Sequence, residues 1–370
     1  MRAKIGLLNI SFVQISGINI MSKYIYFLVP LALMLFGCEK QDAMDMVMRG
    51  NYFTRNWMAE ISDDKLLSDL SIPGTHDSGS KNIGNTRART QNFTIEEQLD
   101  DGIRFLDIRL RWKGSFGYNG QIKHNLGLFH GDNDCGVSFD QVLDWIKTFL
   151  SYHPNEVILM SIKNEKKGED ISEYLSHSYF GDERWKDLFY TGNCIERLPT
   201  LGEVRGKIIV FKRFEHAQTI PHFIDWYTDW DGAGVDNKTF MLKNTHLNQK
   251  SWYYIEDEYK EYDTGEKLKK VKRQITGAVT GNAWDFFLTF VSIAPNPMSS
   301  HTPFQYAWGG KGTFINPEMN SALTDFIWDL TPGFVKRRFG VVALDYYNKR
   351  GDDNDLVSGI IMSNFSFPLD

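Results

Sequence analysis

Short apolar runs that recur along most of the chain constrain its fold more than any other feature of the sequence. Each run is rich in β-branched or aromatic residues, is followed by turn residues, and in most cases precedes a longer amphipathic stretch. The eight runs lie near residues 67–72, 103–111, 126–130, 156–163, 207–213, 252–257, 286–293 and 339–346. Amphipathic helices are predicted over 139–152 and within 171–189, 260–275 and 317–334.

Eight strand candidates with helices between them predict an α/β protein built as an irregular (β/α)8 TIM barrel. The barrel is irregular because a short Gly-rich link without an obvious helix joins the second run to the third. No internal repeat, low-complexity tract or Pro/Gly/Ser-rich linker divides residues 61–370. We therefore predict a single domain over that range.

Polar side chains that could carry chemistry concentrate where the runs end. The carboxyl ends of all strands in such a barrel open on one face, so residues at these ends meet in one site. The candidates are His76, Asp107, Arg109, His130, Lys163, Glu165, Arg213, Asp257, Tyr259 and Asp345. Structural polar residues scattered through a chain would show no such bias, so we interpret this set as the lining of an active site.

The first residues of the chain indicate export. An uncharged apolar run over 24–37 is too short to span a bilayer comfortably but has the length of a signal-peptide core. It ends in a small residue followed by Cys38, which resembles the lipobox of bacterial lipoproteins. This pattern predicts a lipoprotein-type signal peptide over 1–37, lipidation of Cys38 and a tether over 38–60. An uncleaved anchor and an ordinary secretory signal are the alternatives, so the protein is either a cell-envelope lipoprotein or secreted.

Charge and cysteine content narrow the function classes. The formal net charge of −6 argues against a nucleic-acid partner. Besides Cys38, the chain contains only Cys135 and Cys194, which show no CxxC spacing, so a metal cluster is implausible. Outside the cytoplasm these two cysteines could form one disulfide, and the sequence leaves open whether they do.

Two motifs carry the strongest chemical signal. The segment SIPGTHDS is a strand that stops at Pro-Gly and presents His76 and Asp77, although by itself it also fits a turn or a helix cap. The next predicted strand, over 102–111, alternates so that Asp107 and Arg109 share one face. Charges on one strand face cost desolvation energy unless they pair or face a wet cavity. This alternation predicts that the second strand lines the site.

Aromatic residues form two groups whose roles the sequence separates only in part. Trp226, Tyr227 and Trp230 lie in a predicted loop, where contact with lipid headgroups or glycans and packing in the core are equally compatible with the pattern. The residues Trp284, Phe286, Phe287 and Phe290 have the spacing of a barrel core.

The motifs, taken in order, resemble those of the bacterial phosphatidylinositol-specific phospholipases C. From about Leu67 to Asn348 the matching segments are SIPGTHDS, GIRFLDIR, the HG pair after Phe129, EVILMSIKNE, GKIIVFKR, EDEYK, an FxxFVS-like strand, FINPE and LDYYN. The resemblance implies a barrel of the PLC-like phosphodiesterase type. It also implies a lyase that cleaves phosphatidylinositol, or a related inositol phospholipid, to inositol 1,2-cyclic phosphate and diacylglycerol at a membrane surface. We expect a monomer.

The resemblance assigns roles to these residues. His76 would be the general base, oriented by Asp345. His130 would be the general acid, assisted by Asp77. Arg109 would bind a phosphate oxygen and be fixed by Asp107. Inositol hydroxyls would be bound by Lys163, Glu165, Arg213 and Asp257, and Tyr259 would stack on the ring.

Simple chemistry agrees with these roles. The inositol 2-hydroxyl lies beside the phosphate, so the substrate carries its own nucleophile, and two imidazoles of near-neutral pKa can act as base and acid. The calcium-dependent eukaryotic relatives look similar but carry acidic residues where this chain has Arg109 and Lys163. Fixed cations at these positions would repel Ca²⁺. We therefore predict no metal and no cofactor.

Two other functions are compatible with parts of the pattern. An enzyme with the same barrel could act on another glycerophosphodiester or on a glycosyl-phosphatidylinositol headgroup. Glycerophosphodiesterases usually need a metal and a Glu-x-Asp pair on the second strand, where this chain has Asp107-Ile108-Arg109. A surface lipoprotein with a decayed site could instead bind inositol lipids or glycans without turnover, but the complete set of candidate side chains argues against it.

Overall fold

The apolar runs form the strands of one curled sheet. The structure is a computed structural model that describes residues 51–113, 125–192, 194, 197–215, 223–242, 251–310, 314–331, 336–349 and 355–365. Its strands are β1 (Ser71–Thr75), β2 (Phe105–Lys113), β3 (Asn125–His130), β4 (Asn133–Ser138), β5 (Ile158–Asn164), β6 (Ile208–Arg213), β7 (Ile224–Asp225), β8 (Thr239–Leu242), β9 (Tyr253–Glu256), β10 (Phe286–Phe290) and β11 (Gly340–Leu344).

Eight of the described strands are parallel neighbours, in the order β7-β6-β5-β2-β1-β11-β10-β9. Most of their residues are buried, as expected for parallel strands that are covered on both faces. β8 pairs antiparallel with β9, and the described hydrogen-bonded order ends at β7 on one side and β8 on the other. The protein therefore has the predicted fold, an irregular (β/α)8 barrel.

The third apolar run is not a barrel strand, and on this point the prediction is wrong. β3 pairs antiparallel with the end of β2 and with β4, so it forms a hairpin outside the parallel order. The eighth parallel strand is β7, which has only two residues and was not predicted. An antiparallel extension and a barrel strand have the same apolar alternation, so periodicity cannot separate them.

The helices follow the predicted pattern where the amphipathic repeat is long. They are α1 (Asn51–Arg55), α2 (Ile95–Asp100), α3 (Phe139–Tyr152), α4 (Ser172–Leu175), α5 (Leu201–Val204), α6 (Thr264–Thr280), α7 (Pro303–Trp308), α8 (Met319–Leu330) and α9 (Asp355–Met362). The stretch 171–189 is not one helix, because α4 passes into a π turn over Ser176–Phe180 and a separate 3-10 turn follows. Within the described part of the chain, no helix has the length and apolar character needed to cross a bilayer.

Residues 51–60 close the amino-terminal end of the barrel. Trp57 is fully buried, and its indole donates a hydrogen bond to the backbone of the turn before β2. The buried guanidinium of Arg104 pairs with Glu156 at 2.8 Å and donates to two backbone carbonyls of α1. The compact unit therefore begins at Asn51 rather than at residue 61, and the tether predicted over 38–60 overlaps it.

Candidate active site

A cavity of about 580 Å³ opens at the carboxyl ends of the parallel strands. It is lined by nine of the predicted site residues, namely His76, Arg109, His130, Lys163, Glu165, Arg213, Asp257, Tyr259 and Asp345. The other two, Asp77 and Asp107, each contact Arg109 through a carboxylate oxygen. The structure thus brings all eleven residues together, while Cys38 lies outside the described residues.

His76 and Asp345 meet because β1 and β11 are neighbours. The ladder between these strands ends at Thr75 and Leu344, so the next residue on each strand faces the cavity. Nδ1 of His76 lies 2.8 Å from Oδ1 of Asp345 and must carry its proton, since a carboxylate only accepts. Burial by itself lowers the pKa of the imidazole, but the carboxylates of Asp345 and Asp77 raise it above its ordinary value overall.

Asp77 lies between the two histidines. Its Oδ2 is 3.4 Å from Nε2 of His76 and 3.2 Å from Nδ1 of His130, while its Oδ1 is 3.1 Å from Nε of Arg109. The backbone of Asp77 has φ +44°, a left-handed conformation that residues with a Cβ rarely adopt. This turn aims the carboxylate back toward both rings.

His130 reaches the cavity from the hairpin and not from a barrel strand. It ends β3, and Gly131 at φ +59° turns the chain toward β4. Nδ1 of His130 is 2.6 Å from the carbonyl of Ala88, so this nitrogen carries a proton and Nε2 is the one free to exchange it. The ring centroids of His76 and His130 are 6.1 Å apart, with the planes nearly perpendicular. Two titratable rings therefore flank one small volume.

Arg109 contacts Asp77, the carboxylate that lies between the two histidines. Its Nε contacts Asp107 at 3.0 Å and Asp77 at 3.1 Å, and one Nη lies 3.9 Å from Glu165. Burial opposes the charged guanidinium, but these carboxylates hold its pKa above the ordinary value. Burial likewise opposes ionisation of Asp107, yet Arg109 and Arg213 hold its pKa well below the ordinary value. The site thus contains a fixed positive charge that remains through the physiological pH range.

Lys163 and Glu165 come from the carboxyl end of β5. Nζ of Lys163 is 3.7 Å from Glu165, whose other oxygen accepts a hydrogen bond from the backbone N–H of Gly131 at 2.7 Å. Glu165 therefore joins the hairpin that carries His130 to the barrel. Burial opposes its ionisation, but Arg109 and Lys163 lower its pKa overall.

Arg213 is held at the far side of the cavity by two residues that the sequence analysis did not place in the site. Asp231 accepts from Nε and Nη2 of Arg213 at 2.8 and 3.1 Å. The guanidinium carbon lies 3.5 Å from the ring centroid of Trp230, which is a close cation–π contact. Trp226 and Trp230 are both buried, so for these two residues core packing is the correct interpretation, whereas Tyr227 is only half-buried and its role stays a prediction.

Asp257 and Tyr259 follow β9. Burial raises the pKa of Asp257 to about 6, even though Arg213 and Lys267 oppose this rise. The hydroxyl of Tyr259 donates to the carboxylate of Asp236, 2.6 and 2.7 Å from its two oxygens. Asp236 was also missed, because it lies in the loop after the two-residue strand β7, which carries no periodic signal.

The remaining sequence predictions concern the cysteines and the aromatic group around β10. Cys135 and Cys194 are both buried free thiols. Phe286, Phe287 and Phe290 are core residues as predicted, whereas Trp284 is 41% exposed. Among the described residues, no three His, Cys, Asp or Glu side chains are grouped as metal ligands.

The arrangement suits acid–base chemistry on an anion. A base and an acid on either side of the substrate can move protons to and from two oxygens, and a guanidinium between them can stabilise negative charge that develops on a third. Beyond Arg109, charged groups at β5, β6 and β9 offer both donors and acceptors. A ring with several hydroxyl groups would find partners there.

Comparison with protein families and known proteins points in one direction. Residues 70–214 match the family model "Phosphatidylinositol-specific phospholipase C, X domain". A 1-phosphatidylinositol phosphodiesterase of Staphylococcus aureus (strain Newman) is 32% identical over 326 residues, which cover 84% of this chain and 94% of the relative. The corresponding protein of Listeria monocytogenes is 27% identical over 312 residues, with 82% and 84% coverage.

Solved structures agree. A mutant phosphatidylinositol-specific phospholipase C from S. aureus superposes with a TM-score of 0.68 at 30% identity and covers 85% of this chain and 98% of its own. The enzyme from L. monocytogenes gives a TM-score of 0.59 at 25% identity, with 84% and 99% coverage. The similarity therefore extends over nearly the whole length of these proteins.

Proposed function

This chain belongs to the family of bacterial phosphatidylinositol-specific phospholipases C, and from that membership we propose how its own residues cleave phosphatidylinositol. The activity is that of a 1-phosphatidylinositol phosphodiesterase, as in the relatives from S. aureus and L. monocytogenes. The observation that carries the mechanism is the geometry of His76, His130 and Arg109 around one volume at the mouth of the barrel.

His76 acts as the general base. With Nδ1 protonated and donating to Asp345, the unprotonated Nε2 can take the proton of the inositol 2-hydroxyl. The imidazolium that forms is stabilised by Asp345 and Asp77 on its two sides. The deprotonated hydroxyl attacks the phosphorus of the same molecule, which needs no second reactant to be positioned.

His130 acts as the general acid. Its Nδ1 proton is held by the carbonyl of Ala88, and the carboxylate of Asp77 lies 3.2 Å from the same nitrogen, so Nε2 donates a proton to the leaving oxygen of diacylglycerol. Arg109 stabilises the charge on the non-bridging phosphate oxygens, and Asp107 fixes the direction of its guanidinium. The products are inositol 1,2-cyclic phosphate and diacylglycerol.

The inositol ring occupies the side of the cavity lined by Lys163, Glu165, Arg213 and Asp257. Their donors and acceptors match hydroxyl groups, and Tyr259, with its hydroxyl held by Asp236, presents a ring face for stacking. Trp230 and Asp231 position Arg213 for this contact.

We propose that the reaction needs no divalent metal. Arg109 is surrounded by Asp77, Asp107 and Glu165, which are the oxygen ligands that a hard cation would require. Because the guanidinium already neutralises these carboxylates, a second cation would be repelled from the same place.

Phosphatidylinositol vesicles incubated with the protein in excess chelator should therefore yield inositol 1,2-cyclic phosphate at the same rate as in added Ca²⁺. Phosphorus NMR of the reaction separates the cyclic ester from phosphatidylinositol and from the open-chain monoester. Absence of the cyclic signal would contradict the proposed products, and loss of activity in chelator with recovery in Ca²⁺ would contradict metal independence. Phosphatidylcholine vesicles are the control for headgroup specificity.

Activity on a membrane lipid requires the mouth of the barrel to approach a bilayer. Met298 is 95% exposed and follows closely on Pro295, which lines the cavity. We propose that this rim faces the lipid surface. A solved structure of the S. aureus enzyme concerns its membrane binding, in keeping with a surface-active family. The monomeric state stays a prediction.

Export by a lipoprotein signal is proposed from the sequence of residues 1–38 alone. Cells that express the full chain and are labelled with a palmitate analogue should yield a labelled protein, and Cys38→Ala should abolish the label. Cys135→Ala is the matched control, because that thiol is buried in the folded protein and its removal should leave labelling unchanged. An unlabelled wild-type protein recovered from the medium would favour ordinary secretion.

A further inference from the structure

One buried amide outside the groups described so far joins the two strands that carry His76 and Asp345. Gln91 is fully buried in the segment between β1 and α2. Its Nε2 donates to the carbonyl of His76 and to the carbonyl of Leu344, both at 2.8 Å. Leu344 directly precedes Asp345, so each acceptor lies on or beside a member of the His76–Asp345 pair.

The amide lies at the point where strand pairing stops. The β1–β11 register ends at Thr75 and Leu344, followed by a bond from the His76 amide to the Leu344 carbonyl at 3.0 Å. Past that bond the strands diverge into loops that shape the site. Gln91 ties the two ends together there, and its neighbour Thr90 accepts a bond from the amide of Tyr346 at 2.8 Å. Residues 90 and 91 thus supply hydrogen bonds at the point where those between β1 and β11 end.

The backbone beside this contact is strained on both strands. Asp77, directly after His76, has φ +44°, and Tyr346, directly after Asp345, has φ +45°. Left-handed backbone at residues with a Cβ persists only where the surrounding structure holds it. Gln91 binds the carbonyls of His76 and Leu344, which precede the two strained residues, and so restrains the backbone that leads into each of them.

The amide oxygen of Gln91 favours a positioning role for this residue over a purely stabilising one. Oε1 of Gln91 is buried and has no hydrogen-bond partner among the described residues. A buried acceptor without a partner lowers stability. The contribution of this side chain therefore comes from the two hydrogen bonds that Nε2 donates.

We propose that Gln91 is a positioning residue for the base: by holding the carbonyls of His76 and Leu344 at one amide nitrogen, it sets the contact between Nδ1 of His76 and Asp345. The inference rests on the proposed role of His76. Removal of the amide would let the strand ends separate, and the imidazole would lose both its orientation and the carboxylate that stabilises its charged form.

The test is Gln91→Leu, measured by NMR titration of histidine-labelled protein without substrate and by the pH profile of kcat/KM. The charged or titratable groups that face His76 are Asp345, Asp77, Arg109 and His130. Weaker contact with Asp345 should lower the pKa of His76 by roughly half a unit to one unit. The acid limb of the kcat/KM profile should shift to lower pH together with the pKa of His76. The value of kcat should fall about 10²-fold, as expected for a misplaced catalytic group.

Gln98→Leu is the matched control. Gln98 is also fully buried, and its Nε2 also donates to two carbonyls, those of Ser78 and Phe93, at 2.8 and 3.0 Å. Neither carbonyl belongs to the His76–Asp345 pair, so this variant should lose thermal stability while the pKa of His76 stays at the wild-type value.

Gln91→Glu extends the test if the leucine variant does not fold. A buried carboxyl between two carbonyls stays protonated and offers one donor in place of two, so a smaller drop in the pKa of His76 is expected. An unchanged pKa in the folded Gln91 variants, or an equal drop in Gln98→Leu, would overturn the proposal. The titration needs no turnover, so a wild-type protein inactive on phosphatidylinositol would refute the proposed function separately.

Discussion

His76→Ala is expected to lower kcat on phosphatidylinositol by about 10²–10⁴-fold, and His130→Ala by a similar factor, because each removes one proton-transfer group. Binding to phosphatidylinositol vesicles should persist in both variants, since Arg109, Arg213 and the other headgroup contacts are unchanged. Steady-state kinetics on mixed vesicles and a vesicle sedimentation assay measure the two quantities. Wild-type turnover in either variant would remove that histidine from the mechanism.

The leaving group separates the two roles. An inositol phosphate ester with an acidic aryl alcohol as leaving group needs no proton from the enzyme, so His130→Ala should recover most of its rate on this substrate. His76→Ala should stay slow, because the 2-hydroxyl must still lose its proton. Equal recovery in both variants would contradict the assignment of base and acid.

The pH dependence has a definite sign. Burial lowers the pKa of His76, but the carboxylates of Asp345 and Asp77 outweigh this effect and raise the pKa above its ordinary value of 6.5. A base is inactive while protonated, so kcat/KM of the wild type should fall as the pH decreases through that raised pKa. His153→Ala is the control: this ring contacts Asn56 at 2.7 Å at the opposite end of the barrel, and its removal should leave the profile unchanged.

Arg109→Lys is expected to lower kcat by about 10³-fold although the charge is kept. The guanidinium uses Nε for Asp107 and Asp77 and keeps its two Nη atoms, one of them 3.9 Å from Glu165, for phosphate oxygens. The ammonium of lysine carries all its donors on one nitrogen. It therefore cannot contact the carboxylates and the phosphate at once, and one of the two sets of contacts is lost. Kinetics in chelator and in Ca²⁺ measure the effect.

Arg213→Lys is the matched control for that prediction. Arg213 is buried and paired with carboxylates like Arg109, but its proposed partners are inositol hydroxyls rather than the phosphate. We expect a higher KM with a much smaller loss in kcat, because its contacts are made equally in the ground state and the transition state. Equal losses of kcat in the two variants would contradict the separate roles.

Local alternation along the strands predicted much of the site. On β2 the period of two residues places Asp107 and Arg109 on one face, and in the structure Arg109 lines the cavity with Asp107 3.0 Å from its guanidinium. The residues that end β5, β6 and β9 reach the same mouth for the same reason, because parallel strands in a barrel share one carboxyl end.

Alternation along the strands could not predict contacts between segments that are distant in the sequence. His130 was assigned to a barrel strand but reaches the cavity on an antiparallel hairpin whose position depends on β2 and on Glu165. Asp231 and Asp236 follow a two-residue strand that has no pattern of its own. Gln91 gave no signal at all, because its role depends on two carbonyls that only folding brings together.

Which side chains face the cavity from each strand can be read from the amino-acid order, since that depends on a backbone period of two residues and on the parallel direction of neighbouring strands. Which distant groups touch one another became known from the folded chain, as for Gln91 and Leu344, whose amide and carbonyl meet across a separation of 253 residues. This difference arises because alternation is set by each residue's own backbone. A contact depends on how loops, hairpins and buried amides place separate strand ends to within a fraction of an ångström.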